Sequence, residues 1–176
     1  MDGGHAVNER STTPRAYVHR VQYYETDRMG VTHHSNYIRW MEEARVDLLE
    51  QIGWGYDRME QEGILSPVTG VQCRFRAPTT FGDSVEIEAR VSAYRGVSLE
   101  MSYRMRRQDG ELVCEGSSTH CFLDRAGGFL RLRRDFPDLH ARLLSLAQEQ
   151  PEGKASEGKA SEGKAPEGTA PTVPAD

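Results

Sequence analysis

The chain has 176 residues, which is the length of one domain rather than two. Its formal net charge is −5, and the first 150 residues contain 19 arginines, no lysine and 22 acidic residues. This balance excludes a protein that binds nucleic acid through a generally basic surface.

The three cysteines, Cys73, Cys114 and Cys121, are odd in number and form no CxxC pair. We therefore expect buried apolar cysteines in a reducing compartment, with neither a disulfide framework nor a zinc site, and the sequence predicts no other metal site. It also contains no apolar stretch long enough for a transmembrane helix and no signal peptide, which predicts a cytoplasmic protein without membrane insertion.

Both ends of the chain are predicted to lie outside the folded domain. Residues 1–15 read as a flexible arm. Residues 149–176 repeat Glu-Gly-Lys-Ala-Ser and have no large apolar side chain, so they are predicted to be a disordered low-complexity tail. Residues 16–148 remain as the single domain.

The first half of this domain predicts a strand followed by a long helix. Residues 16–24 alternate loosely and are rich in Val and Tyr, which favours a strand. Apolar residues then recur with a period of 3.6 over residues 36–52, with Ser35 as the expected N-cap and Gly53 as the stop. A short second helix is expected over residues 56–61.

The second half changes to a period of two. Residues 85–91 and 97–105 alternate apolar and polar side chains, and a further strand is expected over 111–124. Short glycine-containing links predict about four strands in an antiparallel meander, closed by an amphipathic helix over 135–146. The predicted fold class is α+β, with a sheet wrapped around the long helix.

The densest group of reactive side chains spans residues 23–37, at the turn into the long helix. Asp27 lies about eight residues before the helix, whose first N–H groups could polarise a carbonyl oxygen. A carboxylate beside such donors is what acyl transfer requires. An Asp before a glycine is more often a turn former than a catalytic group, and His33 and His34 could cap the helix or be merely exposed.

The run YYETDRMGVTHHSNYIRWMEEAR at 23–45, with QEGILSPV at 61–68 and VQCRFRAPTTFGDSVEI at 71–87, resembles the 4-hydroxybenzoyl-CoA thioesterase type of acyl-CoA thioesterase. The resemblance covers about residues 17–135. It implies the hotdog fold, an antiparallel sheet wrapped around one long helix, and hydrolysis of an acyl-CoA to free acid and coenzyme A.

The same resemblance implies roles for individual residues. Asp27 would be nucleophile or general base, His34 would lie beside the thioester carbonyl, and Tyr23 would line the same pocket. Arg95, and Ser98 three residues later, would belong to the substrate-binding site, with Arg95 contacting the coenzyme A phosphates. It also implies a homodimer or homotetramer with coenzyme A across a subunit interface, and no cofactor.

Three alternatives stay open from the sequence. One is a thioesterase acting on acyl carrier protein, and another is an acyl-CoA-binding module without catalysis, which Asp27 argues against. A hydratase on this fold would need an Asp and a His about five residues apart, whereas His33 and His34 follow Asp27 by six and seven. The acyl group is not encoded in any motif.

Overall fold

The computed structural model describes residues 14–149 of the chain. Nearly all of the predicted arm at 1–15 and of the predicted tail at 149–176 lies outside this range. Those two predictions therefore stay untested.

The described residues form one antiparallel sheet and four helices, which confirms the α+β class. The strands are β1 (Tyr17–Arg20), β2 (Val68–Phe75), β3 (Ser84–Tyr94), β4 (Ser98–Arg107) and β5 (Leu112–Cys121). The helices are α1 (Ser35–Gln51), α2 (Tyr56–Glu62), α3 (Leu132–Asp135) and α4 (Pro137–Gln148).

The strands lie in the order β1-β3-β4-β5-β2. The meander β3-β4-β5 is confirmed, but the prediction that all four later strands follow one another in it was wrong for β2. Both sides of β3 are taken by β1 and β4, so β2 pairs with β5 and forms the far edge of the sheet.

Helix α1 supplies the centre of the core. Trp40, Met41 and Ala44 are buried against the sheet. Gly116 on β5 faces the helix, and a Cβ at that position would meet the end of the Met41 side chain and lie 2.8 Å from the backbone carbonyl oxygen of Gln72. No helix within residues 14–149 is long and apolar enough to span a membrane.

Three predicted boundaries were wrong. The first strand ends at Arg20, and a 3₁₀ turn (Tyr23–Glu25) follows that leaves Tyr23 and Tyr24 exposed. Ser35 is the first residue of α1 rather than its cap, and its hydroxyl bonds to a neighbouring histidine ring. The closing helix α4 begins at Pro137 rather than at residue 135, because the proline restricts the residue before it, and Asp135 ends the separate short helix α3.

The buried carboxylate of Glu25 links β1, the 3₁₀ turn and helix α1. Its Oε1 accepts a hydrogen bond from the indole of Trp40 on α1 at 2.8 Å. Its Oε2 lies 2.9 Å from Nε2 of His19 on β1 and accepts the backbone N–H of Gln22 at 2.7 Å. The backbone carbonyl of Glu25 accepts two more donors, from His33 and Asn36.

Burial by itself would raise the pKa of Glu25, but the backbone N–H, imidazole and indole donors outweigh burial and hold that pKa below its usual value. The folded state therefore prefers the ionised form. The resulting stabilisation is present at neutral pH and is lost as the pH falls through the pKa of the folded protein.

We predict that Glu25→Gln lowers the free energy of unfolding by about 3 kcal/mol at pH 7, because an amide donor then faces donors in a buried site. Glu43→Gln is the matched control, since Glu43 contacts the other nitrogen of His19 at 2.9 Å but is half-exposed. It should cost less than about 1 kcal/mol. Urea unfolding measures both, and equal losses would contradict the central role of Glu25.

Candidate active site

A pocket of about 290 Å³ opens where α1 begins and β2 ends. It combines residues of the turn, the first helical turn and the segment after β2. The lining residues are Val31, Thr32, His34, Tyr37, Phe75, Arg76, Ala77 and Pro78.

Buried hydroxyl groups fix the walls of this pocket to one another. The Thr79 hydroxyl lies 2.9 Å from the Tyr37 hydroxyl and donates to the Thr32 hydroxyl at 2.7 Å. The Tyr37 ring contacts Phe75 at a centroid distance of 5.2 Å, and burial raises the pKa of Tyr37. Tyr37 is therefore a neutral wall of the pocket at physiological pH.

Asp27 occupies the turn directly before the pocket. Its backbone N–H donates to the carbonyl of Val31 at 2.9 Å, and its Oδ1 accepts the N–H of Met29 at 2.8 Å. Asp27 is therefore a turn former. Among the described residues no donor contacts Oδ2, so half of the carboxylate remains available for chemistry. Asp27 is half-buried and lies beside the lining of the single-chain pocket rather than within it.

His34 lies in the pocket itself. Its ring is exposed, lies tilted against the His33 ring at a centroid distance of 4.2 Å and packs edge-on with Phe75 at 6.4 Å. Within the described range neither ring nitrogen has a hydrogen-bond partner, whereas the His33 ring bonds to Ser35. His34 is thus the histidine of the pair that can contact a bound molecule.

Tyr23 lies outside this lining. It is 77% exposed and packs edge-on against Phe81 at 5.8 Å. Tyr24 and Met29 are exposed nearby, at 80% and 78%. Tyr23 and Phe81 thus form an exposed aromatic pair outside the pocket.

Arg95 lies in the hairpin between β3 and β4, where its N–H donates to the carbonyl of Ser98 at 3.0 Å. It lines a groove of about 330 Å³ together with Arg131 and Arg133, whereas Ser98 is not part of the lining. The remaining lining residues are Tyr94, Gly96, Val97, His140 and Leu144. Sequence reasoning missed Arg131 and Arg133, although the basic run at 131–134 was a visible signal.

The pocket and the groove lie at opposite ends of the sheet. Ser84 at the start of β3 pairs with Arg20, close to the Asp27 turn, whereas Tyr94 at its end pairs with Leu99. The 11 residues of β3 span about 35 Å. One chain therefore does not bring Asp27 and Arg95 together. No cluster of three potential metal ligands occurs within residues 14–149.

Comparisons with known proteins agree with this architecture. Residues 21–159 match the family model of the thioesterase-like superfamily. The putative acyl-CoA thioesterase YneP of Bacillus subtilis is 33% identical over 121 residues, which cover 68% of this chain and 88% of that protein. The acyl-CoA thioester hydrolase YbgC of Escherichia coli is 28% identical over 96 residues, covering 54% of this chain and 72% of that protein.

Solved structures extend the likeness to three dimensions. A DHNA-CoA thioesterase from Staphylococcus aureus superimposes with a TM-score of 0.73 at 30% sequence identity, covering 76% of this chain and 91% of that one. The chain belongs to the thioesterase-like superfamily and has its hotdog fold.

Proposed function

We propose that the pocket at the start of α1 hydrolyses acyl-CoA thioesters, with Asp27 as the catalytic carboxylate and His34 beside the reacting carbonyl. The carrying observation is that Asp27, whose Oδ2 has no partner within residues 14–149, is hydrogen-bonded through its backbone to Val31, which lines the same pocket as His34. The acyl-CoA thioesterase names of the relatives in Bacillus and Escherichia support the same reaction.

In this reaction the Asp27 carboxylate either removes a proton from water that attacks the thioester carbon or attacks that carbon itself. In the second route a mixed anhydride forms and water then hydrolyses it. Coenzyme A leaves as a thiolate and takes up a proton, and the free acid is the other product. The two routes share the requirement for an ionised Asp27.

The developing negative charge on the carbonyl oxygen needs donors that are already in place. The N–H groups of Ser35 and Asn36 already donate to His33, so a backbone donor for this oxygen would have to come from Tyr37 or Ile38. The positive end of the helix dipole lies in the same turn. The ring of His34 can add a hydrogen bond from the pocket side. The contacts of Glu25 and Thr79 hold the start of α1 in position and do not occupy the donors that would bind the carbonyl oxygen.

We predict that Asp27→Asn lowers kcat for acyl-CoA hydrolysis by about 100-fold or more, because the charge is lost while the acceptor for the Met29 N–H is kept. Thiol release from a panel of acyl-CoAs measures it. Asp124→Asn is the matched control, because Asp124 also accepts turn N–H groups, but in a different loop. A turnover above about a tenth of wild type in Asp27→Asn would refute the assignment.

The Arg95 groove fits the phosphate-bearing end of coenzyme A. Three guanidinium groups, from Arg95, Arg131 and Arg133, surround a floor that includes Val97 and Leu144. Guanidinium forks match phosphate oxygens, and the apolar floor suits an adenine ring. Only Glu100, 3.9 Å from Arg95, offers a competing carboxylate to that arginine among the described residues.

We predict that Arg95→Ala raises KM for acyl-CoA about 10-fold to 150-fold with kcat nearly unchanged, as expected for one charge-assisted phosphate contact. The thioester of N-acetylcysteamine, which has no nucleotide, should be unaffected. Arg134→Ala is the control, because Arg134 is exposed, pairs with Asp135 and does not line the groove. Equal losses on both substrates would place Arg95 in the fold or the acyl pocket.

A second copy of the chain would bring the two halves of the site together. Strand β2 is an unpaired edge of eight residues with exposed Val68, Val71 and Phe75, the kind of edge that proteins cover. A two-fold pairing of β2 edges is antiparallel, so the Phe75 end of one chain would meet the Val68 end of the other. The Val68 end is the end of the sheet that carries Arg95. We therefore propose a homodimer, or a homotetramer built from it, with composite sites.

We predict that a heterodimer of one Asp27→Asn chain and one Arg95→Ala chain regains activity, because one of its composite sites combines the intact Asp27 with the intact Arg95. With differently tagged chains and tandem purification, kcat/KM per dimer should reach about half of the wild-type value. Activity at the mean of the two parent variants would show that both residues act from one chain. An active monomer in light scattering would refute the oligomer itself.

The cytoplasm remains the proposed location. All three cysteines are free thiols in the structure, which fits a reducing compartment. The acyl-CoA substrate also fits that compartment.

A further inference from the structure

Two of the cysteines form a close pair beneath the edge of the sheet. Cys73 on β2 pairs with Gly116 on β5, and Cys114 pairs with Phe75, so the two cysteines are diagonal neighbours on adjacent strands. Their sulfur atoms lie 3.4 Å apart. The sequence predicted buried apolar cysteines, and this holds for Cys114, whereas Cys73 and Cys121 are only half-buried.

The two thiols differ in access and in acidity. Cys73 is among the residues that line an open hollow of about 300 Å³ over the paired strands β2 and β5. The hydrogen bond from the Cys114 thiol lowers the pKa of Cys73, although burial opposes this, and the same bond raises the pKa of Cys114. A more acidic, accessible sulfur beside a protonated, buried one is the usual arrangement of an attacking and a resolving cysteine.

We propose that Cys73 and Cys114 form a redox modification site that hydrogen peroxide converts into an intramolecular disulfide. The Cys73 thiolate attacks a peroxide oxygen, so an S–O bond forms, the O–O bond breaks and the leaving oxygen departs as water after taking up a proton. The Cys114 sulfur then attacks the Cys73 sulfur, the S–S bond forms, the S–O bond breaks and a second water carries away the Cys114 proton. Two thiols lose two electrons in total, and the peroxide gains them.

The disulfide would act on the pocket through β2. Bond formation requires the sulfurs to approach by about 1.4 Å, from 3.4 Å to the length of an S–S bond. Phe75 lies two residues from Cys73 on the same face of β2, and its ring contacts both Tyr37 and His34. Oxidation would therefore displace a wall of the active pocket and lower turnover, a consequence that rests on the proposed function.

Cys121 is a built-in control for this proposal. It lies seven residues beyond Cys114 on the same strand, which corresponds to about 23 Å. It can react with peroxide but cannot reach either member of the pair. Loss of Cys121 should leave the disulfide unaffected, whereas loss of Cys73 or Cys114 should abolish it.

The test treats the full chain with hydrogen peroxide at a small molar excess, blocks free thiols with an alkylating reagent and measures intact mass. After oxidation, wild type and Cys121→Ser should each lose two alkylation sites and two hydrogens and regain both with dithiothreitol, and peptide mapping should link Cys73 to Cys114. Cys73→Ser and Cys114→Ser should show no such loss. These measurements need no substrate, so they stand apart from the thioesterase assignment.

Two further measurements make the outcome decisive. Phenylarsine oxide, which binds two neighbouring thiols without oxidising them, should protect both from alkylation in the reduced wild type but not in either single variant. In the oxidised wild type, acyl-CoA turnover should fall at least about fivefold and recover on reduction. A covalent dimer linked through two copies of Cys73, or no disulfide at all, would overturn the proposed site. A mapped disulfide with unchanged turnover would overturn its effect on the pocket.

Discussion

The carboxylate of Glu25 is buried beneath the start of α1, where donors from β1, from the turn and from the helix converge on its two oxygens. Burying a carboxylate costs free energy unless both of its oxygens accept hydrogen bonds. The three elements therefore keep one arrangement, because moving any of them would remove donors that offset this cost. The backbone carbonyl of the same residue fixes His33 and Asn36. Glu25 therefore fixes the conformation of the chain where it enters the pocket, although it takes no part in the proposed chemistry.

The side chains that position the pocket are therefore different from those that are proposed to react. Hydrogen bonds of Glu25 and Thr79 position the turn and the first turn of α1, while Oδ2 of Asp27 and both ring nitrogens of His34 have no partner within residues 14–149. In the proposed mechanism Asp27 would combine the two roles, since its Oδ1 closes the turn and its Oδ2 has no partner among the described residues. A turn-forming aspartate and a catalytic aspartate are therefore compatible descriptions of one residue.

Strand β2 connects the remaining features of the molecule. Its end carries Phe75 into the pocket, its face carries Cys73 next to Cys114, and its unpaired edge is the surface on which a second chain can add. In the isolated chain the pocket and the arginine groove are separated by the length of the sheet. Antiparallel pairing of two such edges is the simplest operation that would join them, because it places opposite ends side by side.

The amino-acid sequence by itself determined the α+β class, the long helix, the meander β3-β4-β5 and the region of the pocket. These features follow from apolar periodicity, glycine-containing turns and a local motif, which are properties of neighbouring residues. The sequence did not reveal the place of β2, because the partner of an edge strand depends on which strand edges other elements leave open. It also missed the Glu25 network, the joining of Arg131 and Arg133 to Arg95, and the thiol pair. Each of these unites residues distant in sequence, so only the tertiary structure could bring their side chains into contact.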